Sequence, residues 1–129
     1  MSAPRMDPEE KRVLVERLFT RIAPRYDWFN RLASFGLDQR WRREVLRRGE
    51  IAPGQRIVDL CTGTGDLAFL CAQRQQGTGH VVGVDRNAAM LRCAQQKQRS
   101  ASWRLAWLQA DAEALPFADA SVDRVLIGF

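Results

Sequence analysis

The sequence predicts an α/β fold, an open parallel sheet alternating with helices and preceded by a helical segment. Three observations predict it. A strand-like run, Arg56–Leu60, passes directly into a Gly63-Thr64-Gly65 turn and then into helical periodicity. Strand and helix patterns go on alternating towards the end of the chain, the order that gives a parallel sheet with helices on both faces. Residues 1–50 carry helical spacing alone. The 129 residues are enough for one domain with a real core. It divides into a helical segment, residues 1–50, and an α/β half, residues 51–129.

Each element has a local reason. Asp7-Pro8 starts a first helix, with Asp7 as N-cap, Pro8 at the first helical position and Glu9 and Glu10 suiting the positive end of the helix dipole. Leu14, Leu18 and Ile22, beside Val15 and Phe19, give it an apolar stripe, and Pro24 ends it. Tyr26–Ala33 makes a short second helix, and Ser34-Phe35-Gly36 breaks it. Asp38 caps a third, which turns Trp41, Val45 and Leu46 inward and its arginines outward. Ala52-Pro53-Gly54 is the boundary turn. Strand Arg56–Leu60 follows, then helix Asp66–Arg74 with Leu67, Leu70 and Cys71 inside. Gly77-Thr78-Gly79 turns into strand His80–Val84, which ends at Asp85. Asn87 caps a helix to about Gln98, with Met90, Leu91 and Ala94 inward. Arg104–Gln109 is a third strand, Ala112–Ala120 a connector, and Val122–Ile127 a fourth strand.

Composition narrows the function classes. A 46% hydrophobic, 27% charged chain reads as soluble and globular. No apolar run reaches the length of a membrane span, and Met1–Arg5 lacks a secretory leader, so cytoplasmic residence is expected. Cys61, Cys71 and Cys93 lack metal-ligand spacing and read as reduced thiols, and His80 stands alone, so no metal site is expected. The net charge of +5 is uneven, with +4 of it in residues 1–50. Arg40, Arg42, Arg43, Arg47 and Arg48 form the densest cluster. It reads as a solvated helix face, as a contact for anionic lipid, or, less well for want of aromatic interleaving, as a contact for nucleic acid.

The stretch Asp59-Leu60-Cys61-Thr62-Gly63-Thr64-Gly65-Asp66 carries the chemistry. Ligands of open parallel sheets bind outside the carboxyl ends of the strands, which puts Asp59–Asp66, Asp85, Asp111 and Gly128 along one rim. Gly63 and Gly65 let backbone approach a ligand closely. Gly63-Thr64-Gly65-Asp66-Leu67-Ala68 fits a dinucleotide fingerprint, and Asp85 stands where a ribose-binding acid belongs. The acids distinguish the ligands. Asp66, at a helix N-terminus, would repel a pyrophosphate but not the sulfonium and ammonium groups of S-adenosylmethionine. Asp59 holds an amino group, or it holds the loop backbone. Gln109 and Asp111 reach an adenine edge, or Asp111 makes an Asx turn. Asp85 serves a ribose or its own turn, and Thr64 the ligand or the bend. S-adenosylmethionine is the expected cofactor.

At these residues the chain resembles the ubiquinone/menaquinone biosynthesis C-methyltransferases. Tyr26-Asp27-Trp28-Phe29-Asn30-Arg31-Leu32-Ala33-Ser34-Phe35-Gly36 matches that family's Y-D-x-M-N-x-x-x-S-x-G, with Phe29 for the methionine and Asp38 where a histidine precedes Trp41. Val84-Asp85 and Ala110-Asp111-Ala112-Glu113-Ala114-Leu115-Pro116-Phe117 match its other markers, the latter with Asp111 for asparagine. The resemblance runs from about Val15 to Phe129. It implies a Rossmann-like class I S-adenosylmethionine-dependent methyltransferase fold, ending here after the fourth of seven strands, with one incomplete domain over 1–129. It also implies that residues 1–50 cap the substrate side.

Carried over residue by residue, the resemblance implies cofactor contacts at Thr64, Asp85, Asp111, Ala112 and Gly128, beside Asp59, Gly63 and Gly65 read from the loop itself. The implied reaction is methyl transfer to a ring carbon of a prenylated quinol: demethylmenaquinol or the related ubiquinone or phylloquinone precursor. Tyr26, Asp27 and Asn30 are candidates for the quinol pocket, or they pin their helix to the core; the general base is not assigned. A bilayer-resident substrate implies peripheral membrane contact through the arginine-rich helix. Three alternatives stand beside this reading, the first an S-adenosylmethionine-dependent methyltransferase of another small molecule. A nucleic-acid methyltransferase lacks support, because Leu126-Ile127-Gly128-Phe129 carries no Asn/Asp-Pro-Pro-aromatic tetrad. A fragment that binds cofactor without turnover would leave Val125-Leu126-Ile127 as an exposed apolar edge.

Overall fold

The computed structural model describes residues 6–99 and 105–128. Helix α1 spans Pro8–Ile22, a single 3₁₀ turn covers Ala23–Arg25, and α2 (Tyr26–Ala33) and α3 (Leu37–Arg48) follow. Then come β1 (Arg56–Leu60), α4 (Asp66–Gln75), β2 (His80–Asp85), α5 (Ala88–Gln98), β3 (Leu105–Gln109) and β4 (Arg124–Ile127). The four strands are parallel, in the order β3-β2-β1-β4. The sequence places these elements within one or two residues. Arg104, the expected start of the third strand, lies outside the described residues.

Topology decides which face is covered. From β1 to β2 to β3 the chain steps in one direction, so right-handed crossovers place α4 and α5 on the same face of the sheet. Helix α3 joins them against α4. The core lies there: Leu46, Ile51, Ile57, Leu67, Ala68, Cys71, Ala72, Val81 and Leu126 pack together. Each large aliphatic side chain so buried contributes about 1.5–3 kcal/mol. Val125 and Ile127 alternate with Leu126 and point the other way, 58% and 63% exposed. The expectation of helices on both faces is therefore corrected: the described helices of the α/β half share one face. The order reverses between β1 and β4, which makes the carboxyl ends of these two strands the switch point where ligands of such sheets bind.

The helical segment departs from expectation in four places. Helix α1 buries no residue, and its stripe at Leu14 and Leu18 is exposed on the described structure. Asp38 does not cap α3. Gly36 occupies the cap position with φ +79°, a left-handed backbone that favours glycine, and Asp38 lies in the first turn, buried. Arg42 turns inward, 4% exposed, because Asp38 and Asp66 both need its charge. Trp41 takes the outward place instead, about half exposed. Of the remaining arginines, Arg47 and Arg48 both clasp Glu44, and Arg40 and Arg43 stand in solvent.

Candidate cofactor site

The bend after β1 is built by its neighbours before any ligand is considered. Cys61, Gly63 and Gly65 all adopt left-handed φ values, +53°, +59° and +88°, which curl the chain between β1 and α4. The Thr62 N–H donates to the Val84 carbonyl at 2.9 Å, tying the bend to β2. Asp85, at the end of β2, accepts the Gly63 N–H at 2.8 Å through one carboxylate oxygen and the Asn87 N–H at 2.8 Å through the other. Asn87 in turn caps α5, accepting the Met90 N–H at 3.0 Å. Its amide donates to the Thr20 hydroxyl at 2.9 Å and the Glu16 carbonyl at 3.2 Å, which fastens α1 beside the bend.

Asp59 lies beneath this bend, 1% exposed. The Thr62 hydroxyl donates to it at 2.6 Å, and the Ala68 backbone N–H bonds to it as well. Burial pushes its carboxyl up to about 7. Through these two partners Asp59 ties the Thr62 side chain of the bend to the first turn of α4.

Asp66 also differs from its expected part. Its carboxylate faces Arg42 at 3.1 Å and Lys97 at 2.7 Å, not a ligand. These belong to an alternating chain of charges: Asp38, Arg42, Asp66, Lys97 and Asp27, joining α3, α4, α5 and α2. A neutralised carboxylate repels phosphate weakly, so Asp66 does not select the ligand by its charge. Gly65 is likewise re-explained. A Cβ there would run into the Trp107 ring, so its close neighbour is a β3 side chain. That indole donates to Gln98 and packs on Phe69 with ring centroids 5.5 Å apart.

Above the strand ends is a cleft of about 550 Å³. Gly63, Asp85, Asp111, Ala112 and Gly128 line it together, and Tyr26 joins them. Thr64, Asp59 and Tyr26 instead share a much smaller recess behind the bend, with Arg42. Asp27 points to Thr64 and Lys97, and Asn30 does not line the cleft. Asp111 makes an Asx turn, accepting the Glu113 N–H at 3.0 Å, while its other oxygen lies 3.9 Å from Arg86. The sequence reading missed the wall opposite the strands: Lys11, Arg12, Val15, Glu16 and Phe19 of α1. The signal was present, because Val15 and Phe19 lie beside the apolar stripe of this helix. Met90, read simply as inward, forms part of the floor. Among the described residues, no cluster of three or more His, Cys, Asp or Glu is arranged for a metal, and no helix is long and apolar enough to cross a membrane.

A family model described as the ubiE/COQ5 methyltransferase family matches residues 5–129. The chain belongs to the ubiE/COQ5 methyltransferase family. It is 41% identical over 122 residues to a ubiquinone/menaquinone biosynthesis C-methyltransferase of Geotalea uraniireducens, covering 93% of this chain and 52% of that protein. It is 46% identical over 112 residues to a demethylmenaquinone methyltransferase of Thermus thermophilus, covering 87% of this chain and 50% of that one. This member of the ubiE/COQ5 family thus spans about half the length of the curated relatives it matches. The solved structure of phosphoethanolamine N-methyltransferase 1 from Haemonchus contortus, in complex with S-adenosylhomocysteine, superposes with a TM-score of 0.75 over 95% of this chain and 26% of that one. At 19% identity this likeness concerns the fold alone, which is Rossmann-like.

Proposed function

We propose that this chain forms the S-adenosylmethionine-binding half of a methyltransferase acting on a prenylated quinol. The observation that carries the reading is the composition of the cleft. Five residues read from sequence as cofactor contacts line one space with apolar Val15, Phe19, Val84 and Met90. A space of this size, mostly apolar with a few convergent polar groups, is the usual form of a small-molecule site.

The residues present fit the cofactor. Asp85 has two oxygens fixed by backbone N–H groups and retains lone pairs for the ribose hydroxyls. Asp111 and Ala112, past the end of β3, stand beside the Met90 and Val84 surface that suits an adenine ring. The Gly63 backbone and the Tyr26 ring flank the inner end. When bound, the cofactor supplies an electrophilic methyl group. The protein's part is alignment and exclusion of water, the main source of rate in a displacement of this kind. Helix α1 provides the cover. The cleft wall carries three acids, Glu16, Asp85 and Asp111, and three cations, Lys11, Arg12 and Arg86, so its charge favours neither ligand, and the preference for S-adenosylmethionine over a dinucleotide rests on family membership.

The quinol assignment rests on family membership and on the names of the relatives. Incubating the protein with methyl-labelled S-adenosylmethionine and reduced demethylmenaquinone tests it. The expected result is label in the organic extract. Label transferred only to added RNA would overturn it.

Peripheral membrane contact is part of the same proposal, at the outer side of α3 and α2, where Arg40, Arg43 and Trp28 are exposed. Replacing Arg40 and Arg43 with glutamine should weaken binding to anionic vesicles. Unchanged binding would remove this part of the proposal.

A further inference from the structure

One ammonium group joins the glycine bend to the helical segment. Lys97 Nζ, on α5, donates to the Thr64 hydroxyl at 3.1 Å and to Asp66 at 2.7 Å, and it pairs with Asp27 of α2. The Thr64 hydroxyl also donates to Asp27. A lysine has three N–H donors and no acceptor, and here three oxygens from three different segments meet them. Thr64 is the middle residue of the bend, Asp66 opens α4, and Asp27 sits in the first turn of α2.

Helix α2 buries no residue, so apolar packing alone holds it loosely. The residue before Asp27 is Tyr26. Its ring stands over the bend, with Cε1 3.9 Å from where a Gly63 Cβ would lie, and it lines the cleft. We propose that Lys97 is a positioning residue: by clamping Asp27 to Thr64 and Asp66 it fixes Tyr26 over Gly63 and so preforms the inner end of the cleft. The effect on ligand rests on reading the cleft as the cofactor site; the effect on Tyr26 does not.

The physical consequence is a population effect. Without the ammonium, Asp27 loses its cation, and Tyr26 is held by the Thr64–Asp27 bond and by its ring contact with Phe19, centroids 6.1 Å apart. Helix α2 then samples positions in which Tyr26 leaves the bend. Apparent affinity falls by the fraction of molecules that remain competent, so a drop to about one tenth weakens binding about tenfold. Arginine keeps the charge and can serve several of the oxygens; methionine keeps the length and can serve none.

Tyr26 is the single tyrosine of the chain, which makes the test direct. The 129-residue chain is prepared with 3-fluorotyrosine as wild type, Lys97→Met, Lys97→Arg and Asp27→Asn. The ¹⁹F resonance is recorded without ligand, S-adenosylhomocysteine is titrated by calorimetry, and helix content is followed by circular dichroism. The expected result is a shifted or broadened resonance and about tenfold weaker binding in Lys97→Met, the same direction in Asp27→Asn, and near-wild-type behaviour in Lys97→Arg. A Lys97→Met protein whose resonance and affinity match wild type overturns the proposal. Loss of helical signal in both Lys97 variants also overturns it, because the residue would then serve folding alone. A wild type that does not bind S-adenosylhomocysteine removes the cofactor reading instead, while the fluorine resonance still decides whether Lys97 positions Tyr26.

Discussion

The carboxylate of Asp85 holds the backbone N–H of Gly63 at 2.8 Å, so the end of β2 sets the position of the bend that follows β1. The same carboxylate holds the Asn87 N–H, and Asn87 holds α1 through Thr20 and Glu16. One side chain thereby links the bend, the cap of α5 and the wall of the cleft. Asparagine at position 85 has a single acceptor oxygen, so one of the two N–H groups loses its partner. Asp85→Asn is expected to weaken S-adenosylhomocysteine binding about 10- to 100-fold, the worth of a charged hydrogen bond. Calorimetric titration against wild type measures this, with the thermal midpoint as the check on folding.

Arg42 is a structural cation. It bonds Asp38 at 2.8 Å and Asp66 at 3.1 Å, and Asp38 is itself buried. Removing one partner of a buried pair leaves an uncompensated charge, which costs about 3–5 kcal/mol. Arg42→Met is expected to lower the urea midpoint accordingly. Adding Asp38→Asn in the same chain should recover part of the loss, because one stranded carboxylate is then gone. A midpoint unchanged by Arg42→Met would mean that the charge chain does not contribute to stability.

Asp59 makes stability depend on pH in an unusual direction for an acid. Burial raises its carboxyl from the ordinary 3.8 to about 7. Between these values the folded protein holds a proton that the unfolded chain has released. The stabilising contribution is therefore complete below about pH 4 and lost as the pH rises towards 7. Urea midpoints at pH 5 and pH 8 for wild type and Asp59→Asn measure it. The wild type should lose more stability over that interval than the variant, whose amide has no proton to release. Equal losses in both would contradict it.

Much of this was readable because the signals are local. Strand and helix periods, the Asn87 cap and the turns at residues 52–54 and 77–79 each depend on neighbours in sequence, and they place the elements to within a residue or two. The rim of the cleft followed from topology, since Gly63, Asp85, Asp111 and Gly128 each lie at or just past a strand end. What escaped depends on partners far along the chain. Arg42 looks like its exposed neighbours until Asp66 meets it from another helix. Asp66 looks like a ligand-facing acid until Arg42 and Lys97 neutralise it. Gly65 looks reserved for a ligand until Trp107 from β3 fills the space. Val15 and Phe19 have the periodicity of core residues, and only the tertiary placing of α1 turns them towards a cleft.

The central claim is that this cleft takes S-adenosylmethionine, and with it the demethylated product S-adenosylhomocysteine, and not a dinucleotide. Titrating the protein with S-adenosylhomocysteine and, separately, with NAD is the most direct test. The account predicts saturable binding of S-adenosylhomocysteine, lost or weakened by Asp85→Asn, and no saturable binding of NAD. Binding of NAD with S-adenosylhomocysteine unable to displace it would contradict the account.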